Sequence, residues 1–159
     1  MTSELEINLA DEAAQLAFGA VLVTALVAPC RVYLEGDLGA GKTTLVRGVL
    51  RAMGFKGAVR SPTYTLVEPY RLEDVTFYHL DLYRLADGEE LEYLGFRDML
   101  AEAALMFVEW PERAEGWLPP ADLLIKIHHA DEGRMLHFAG VSNTGKRIIE
   151  QISLQLNIR

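Results

Sequence analysis

Residues 36 to 43 read Gly36 Asp37 Leu38 Gly39 Ala40 Gly41 Lys42 Thr43, the full G-x-x-x-x-G-K-[ST] spacing of a phosphate-binding loop, and the apolar Val32, Tyr33 and Leu34 run into it. That order predicts a strand, a tight loop and a helix starting at Lys42, a repeating unit of α/β sheets. The chemistry follows from the residue types. Glycines let backbone N–H groups turn inward around an anion, Lys42 supplies a mobile cation for β and γ oxygens, and the Thr43 hydroxyl can ligate Mg²⁺. The helix N-terminus adds its positive end. With this chain's residue counts the pattern arises by chance roughly 0.002 times, so an accidental Gly-rich turn is set aside. Nucleotide contacts are expected from Asp37, Leu38, Gly39, Ala40, Gly41, Lys42, Thr43 and Thr44.

A second stretch provides a control. Gly140 Val141 Ser142 Asn143 Thr144 Gly145 Lys146 Arg147 repeats the spacing but ends in arginine. Positive charge would then stand where the cation belongs, so this segment reads as a turn opening a terminal helix.

The chain has 159 residues, half of them hydrophobic and 24% charged, with no repeat and no Gly-, Pro- or Ser-rich linker. A single P-loop ATPase domain over residues 1–159 is expected, with little room for a lid or acceptor domain. The net charge of −8 opposes non-specific binding to nucleic acid. One cysteine, Cys30, allows no internal disulfide and points to a cytoplasmic setting. The apolar run from Leu16 to Cys30 is shorter than the ~18 residues of a membrane span and has acidic Asp11 and Glu12 before it. A buried helix from Asp11 to about Val27 is expected instead, with Asp11 as N-cap and Pro29 marking its exit.

Other elements follow from periodicity. Strands are expected near Leu5 to Asn8, Arg31 to Glu35, Ala104 to Glu109, Leu123 to His129 and Arg134 to Phe138. Thr65 to Tyr70 and Val75 to Tyr83 should pair antiparallel around a polar turn. A helix from Lys42 to Met53 should close at Gly54, and Leu85 to Leu100 should form two short helices broken near Gly95. The fold class is therefore α/β: a P-loop NTPase-like three-layer fold whose mixed sheet has an antiparallel section and flanking helices.

A cation and an attacking water need acids near the loop, and strand carboxyl ends are where this architecture puts them. Glu109 ends the apolar Leu105 Met106 Phe107 Val108, although glutamate replaces the usual aspartate of the second metal-binding motif. Asp81 alternates out of Phe77 Tyr78 His79 Leu80 into polar space. His128 and His129 are adjacent and face opposite sides of a strand, so with His79 and His137 they read as ordinary residues. Trp110 and Trp117 read as packing residues, with Trp110 notable for following Glu109.

Four motifs together resemble the TsaE (formerly YjeE) family: the loop Gly36 to Thr44, Ser61 Pro62 Thr63 Tyr64 Thr65 Leu66 Val67 Glu68, His79 Leu80 Asp81 Leu82 Tyr83 Arg84 Leu85, and Val108 Glu109 Trp110 Pro111. They fall in the right order over most of the chain. The resemblance implies an ATPase of bacterial tRNA threonylcarbamoyladenosine (t6A) synthesis with ATP and Mg²⁺ as cofactors. It implies that Lys42 contacts the phosphates, that Thr43 and Glu109 hold the metal, and that Asp81 is needed for hydrolysis. It also implies a switch-like role for Ser61 to Thr65, with Arg134 and the start of the first helix near the nucleotide. TsaD and TsaB are the implied partners, with TsaD performing the transfer and tRNA reached only through their complex.

Two other readings fit a phosphate loop: a small-molecule kinase and a nucleotide-dependent binding switch with little turnover. No Asn-Lys-x-Asp element for reading guanine occurs in the sequence, which favours adenine.

Overall fold

The computed structural model describes residues 3 to 157. Among them, β1 is Glu4–Leu9, β2 Cys30–Glu35, β3 Val67–Arg71, β4 Thr76–Asp81, β5 Ala104–Glu109, β6 Leu123–Ala130 and β7 Gly133–Gly140. The helices are α1 Glu12–Val23, α2 Lys42–Ala52, α3 Glu90–Tyr93, α4 Phe96–Ala101 and α5 Asn143–Gln155. The strands form one sheet in the order β1-β7-β6-β2-β5-β4-β3.

The centre of that sheet is parallel, with β6, β2, β5 and β4 running the same way. Strands covered on both faces read as nearly continuous apolar runs, and all six residues of β5 are buried, its terminal Glu109 included. Antiparallel pairs close both edges, β3 on β4 at one and β7 between β6 and β1 at the other. The mixed, helix-flanked α/β sheet expected from the sequence is thus the fold found.

Period-two alternation divides the core into two layers. Val32 and Leu34 of β2 join Leu22, Leu45, Val49 and Ile149 of α1, α2 and α5. Tyr33 between them joins Leu91 and Phe96 of α3 and α4. Likewise Leu105 and Phe107 of β5 belong to the first layer, Met106 and Val108 to the second.

Asp11 caps α1 as expected, its Oδ1 accepting from Ala14 N at 2.8 Å. The expected end near Val27 and complete burial are both corrected. The helix stops at Val23, and Leu16 and Val27 are 37% and 71% exposed. The Thr24 hydroxyl lies 2.7 Å from both the Val21 carbonyl and the Gln155 amide oxygen, tying the terminus to α5. The N–H groups of Ala25 and Leu26 turn back to Leu22 and Val23 at 3.0 and 3.2 Å, the tighter i→i−3 pattern that ends a helix. The buried face is Gln15, Phe18, Gly19 and Leu22, and it meets α2 where Gly19 touches Gly48. A Cβ on Gly19 would collide with the Gly48 backbone, so these residues set the closeness of the crossing.

The hairpin pairs antiparallel as expected but starts at Val67, not Thr65. Leu66 has φ 68, its N–H donates to Pro62 O at 2.8 Å, and its carbonyl accepts from Asp81 N at 3.0 Å. This bend ends pairing and leaves residues 61–65 as a loop beside Asp81. The second strand likewise ends at Asp81 rather than Tyr83. Gly95 separates α3 from α4 at φ 76. The Arg147 segment opens α5, with Ser142 Oγ accepting from Gly145 N at 3.2 Å.

Candidate functional site

The loop between β2 and α2 sits at the carboxyl ends of the parallel strands, where open α/β sheets bind ligands. Gly41 closes it at φ 105, a left-handed conformation that a side chain would strain. Its carbonyl accepts from Leu45 N at 3.0 Å and from Gln15 Nε2 at 2.7 Å, so α1 braces the loop from behind.

Lys42 is the first residue of α2, yet only 4% of it is exposed. Its ammonium donates to the Gly36 carbonyl and lies 3.7 Å from the centroid of the Trp110 ring. Trp110 reaches this position because its own backbone is left-handed, at φ 57. Tyr83 supports the ring from a centroid 5.0 Å away. Burial pulls the Lys42 pKa below the ordinary lysine value, opposed by the charges of Glu109, then Asp81, Glu112 and Asp37. The cation is therefore held in the interior by an acidic surrounding.

The acids come from adjacent strands. Asp81 ends β4, Glu109 ends β5, and they are register partners. Asp81 is 6% exposed and Glu109 3%. Burial raises the Asp81 pKa first, opposed by the Tyr83 N–H at 3.0 Å, while Glu109 adds to the rise and His79 and Lys42 oppose it. Glu109 Oε2 accepts from Thr43 Oγ1 at 3.0 Å and contacts His79 Nε2 at 2.5 Å. Thr63 Oγ1 approaches Asp81 Oδ2 at 3.5 Å and pairs with Ser61 Oγ at 2.7 Å, which sets the 61–65 loop against the acid.

Opposite them stands Arg134 of β7, its Nε donating to Ala40 O at 3.0 Å. The cleft between has a volume of about 260 Å³. Of the residues singled out in the sequence, Leu38, Gly39, Gly41, Lys42, Thr43, Thr44, Asp81, Glu109 and Arg134 line it, as do Ser61 and Thr63 of the switch-like segment, Trp110, and Glu12 at the start of α1. Asp37 and Ala40 stand outside its walls. Ala40 is 1% exposed and packs in the core, and its N–H donates to the Asp37 carbonyl at 3.1 Å.

Two side chains in this arrangement escaped the sequence reading. His79, read as an ordinary residue, is wholly buried against Glu109. Its parity with Asp81 two residues on was the available signal, since both must share a face. Gln15 is wholly buried with Oε1 unpartnered. A lone amide on the apolar face shared with Phe18 and Leu22 was its signal.

The Thr43 hydroxyl and Glu109 carboxylate are hard oxygen donors of the kind Mg²⁺ takes, and the buried ammonium and left-handed loop suit a polyphosphate. Sheet order, loop and strand-end acids together define a protein with the P-loop NTPase-like fold. The chain belongs to the TsaE family: the model "Threonylcarbamoyl adenosine biosynthesis protein TsaE" matches residues 9–136. The tRNA threonylcarbamoyladenosine biosynthesis protein TsaE of Haemophilus influenzae is 51% identical over 122 residues, covering 77% of each chain. Its counterpart in Bacillus subtilis is 38% identical over 126 residues, 79% of this chain and 78% of the relative. A crystal structure of Bacillus subtilis YdiB superposes with a TM-score of 0.83 at 27% identity, covering 99% of both chains. The family role is in threonylcarbamoyladenosine biosynthesis. Among the described residues no helix is long and apolar enough to cross a membrane.

Proposed function

We propose that this chain is an Mg²⁺-dependent ATPase that supports t6A modification of tRNA, acting in the cytoplasm on a complex of TsaD and TsaB and reaching tRNA only through it. The observation that carries the reading is one cleft bordered by Lys42, Thr43, Asp81 and Glu109, an ammonium, a hydroxyl and two carboxylates at the mouth of a phosphate loop. The names of the relatives supply the pathway.

In this reading the Lys42 ammonium exchanges the Gly36 carbonyl for β and γ oxygens, trading a neutral acceptor for charged ones. Backbone N–H groups of Gly39, Gly41, Lys42, Thr43 and Thr44 surround the same oxygens, and Arg134 adds positive charge from the far wall. Thr43 Oγ1 and the Glu109 carboxylate would hold Mg²⁺. The chemistry Mg²⁺ would supply there is neutralisation of charge on the transferring phosphoryl group. Asp81 orients the attacking water and accepts its proton, a task that a carboxyl raised by burial performs better than an ordinary one. The absent Asn-Lys-x-Asp element supports ATP over GTP.

The experiment is phosphate release from ATP by the purified chain, alone and with TsaB and TsaD, alongside a pull-down from the source cell with ATP and Mg²⁺. Recovery of TsaB and TsaD homologues and partner-stimulated release are expected. A phosphorylated metabolite in place of free phosphate would make the chain a kinase, and binding without turnover a switch.

A further inference from the structure

Strand β4 departs from its own pattern at one residue. Phe77, His79 and Asp81 share a face by alternation, and Phe77 packs into the α2 layer with Leu105 and Phe107 of β5. His79 is the register partner of Phe107 and is 0% exposed. Its neighbours Phe77 and Phe107 stack with centroids 5.0 Å apart, so an aromatic or aliphatic residue would suit the position. Histidine instead brings two ring nitrogens into the core. One of them, Nδ1, has no hydrogen-bond partner, and an unpartnered buried polar atom costs stability. Such a locally unfavourable choice marks a residue retained for its other contact. That contact is Nε2 on Glu109 Oε2 at 2.5 Å.

We infer that His79 is the positioning residue of Glu109. By donating from Nε2 to Oε2 it holds the carboxylate beside Thr43, whose Oγ1 meets the same oxygen at 3.0 Å. Both bonds fall on Oε2, and among the described residues Oε1 has no hydrogen-bond partner, so it remains the oxygen available to a cation. This is the arrangement by which groups behind a metal-binding carboxylate fix its orientation and raise its affinity. The inference rests on the reading that the cleft takes ATP with Mg²⁺.

The test compares His79→Leu and His79→Phe, which remove the donor, with His79→Gln, whose amide N–H keeps a donor at similar reach. ATP titrations with Mg²⁺ and with EDTA are combined with melting of the free protein. The two donor-free variants should stay folded, since loss of the unpartnered Nδ1 offsets loss of the bond to Glu109. Their ATP affinity in EDTA should match wild type, while the Mg²⁺ concentration that half-maximally tightens binding should rise about 10-fold. His79→Gln should restore most of that response. A folded donor-free variant with the wild-type Mg²⁺ response overturns the inference, as does a Gln variant as impaired as Leu. Loss of folding in all three variants would make His79 a core residue and overturn it too. A wild-type protein whose ATP binding ignores Mg²⁺ overturns the functional reading and this inference with it.

Discussion

Asp81 and Glu109 face each other as register partners at the ends of two parallel strands, so the backbone ladder itself holds two carboxylates side by side in a nearly closed wall. Each is stabilised differently. Glu109 accepts from Thr43 and contacts His79, whereas Asp81 has the Tyr83 N–H and only a long approach from Thr63. That asymmetry leads to distinct expectations for the two residues.

The first concerns stability and pH. Burial raises the Asp81 pKa in the folded protein, while in the unfolded chain it sits near the ordinary value of about 3.9. Below the unfolded value both states are protonated and there is no penalty. As pH rises from the unfolded value through the folded one, ionisation increasingly disfavours the fold, and the penalty is complete above the folded value. Asp81→Asn keeps an acceptor for Tyr83 and removes the charge. Its melting temperature without nucleotide should exceed wild type by a few degrees at pH 7, and the gap should close at about pH 3. A gap that widens on acidification would contradict the sign.

Lys42→Ala should weaken ATP binding about 10- to 100-fold, the worth of a charge-assisted hydrogen bond, and abolish turnover. It should not unfold the chain, because it removes a buried cation whose burial already lowers its pKa. Isothermal titration and phosphate release on a variant with wild-type circular dichroism are the measurements. Unchanged affinity and turnover would mean that phosphate binds elsewhere.

Much of this was legible because it is local. The loop motif, the antiparallel hairpin and the break at Gly95 each follow from a few consecutive residues. Sheet order was not, since placing β2 between β5 and β6 depends on packing among strands far apart in sequence. His79 was opaque for the same reason. Alternation assigns it a face, but only the β4–β5 register brings it to Glu109. The end of α1 is not legible because Ala25, Leu26 and Val27 continue the apolar run, while the Thr24 hydroxyl at the stop meets Gln155 on a helix far away in sequence.

Two substitutions on α1 test how far its burial extends. Leu22 is 0% exposed and Leu16 37%. Leu22→Asp places an unpaired charge in the core at a cost of about 3–5 kcal/mol, enough to unfold a marginally stable domain. Leu16→Asp should cost far less. Urea midpoints compare them, and equal midpoints would mean that the helix is not seated as described.

The last expectation separates the two acids by function. Glu109 is fixed by Thr43 and His79 at the end of a strand buried along its whole length, so its geometry is set before any ligand arrives. Asp81 faces the 61–65 loop and is joined to it only by the 3.5 Å approach of Thr63, so its productive position depends on where that loop settles. Removing a pre-set ligand affects the ground state, whereas removing a group that acts on the attacking water affects the chemical step. Glu109→Ala should therefore weaken ATP binding in Mg²⁺ by about 10-fold or more and leave binding in EDTA nearly unchanged. Asp81→Ala should retain most of the Mg²⁺-dependent affinity and lower partner-stimulated turnover by about 100-fold, the range of a lost general base. Titrations in Mg²⁺ and EDTA, with phosphate release in the presence of TsaB and TsaD, read both quantities. If Asp81→Ala abolishes the Mg²⁺ dependence of binding and Glu109→Ala preserves it, the two roles are exchanged.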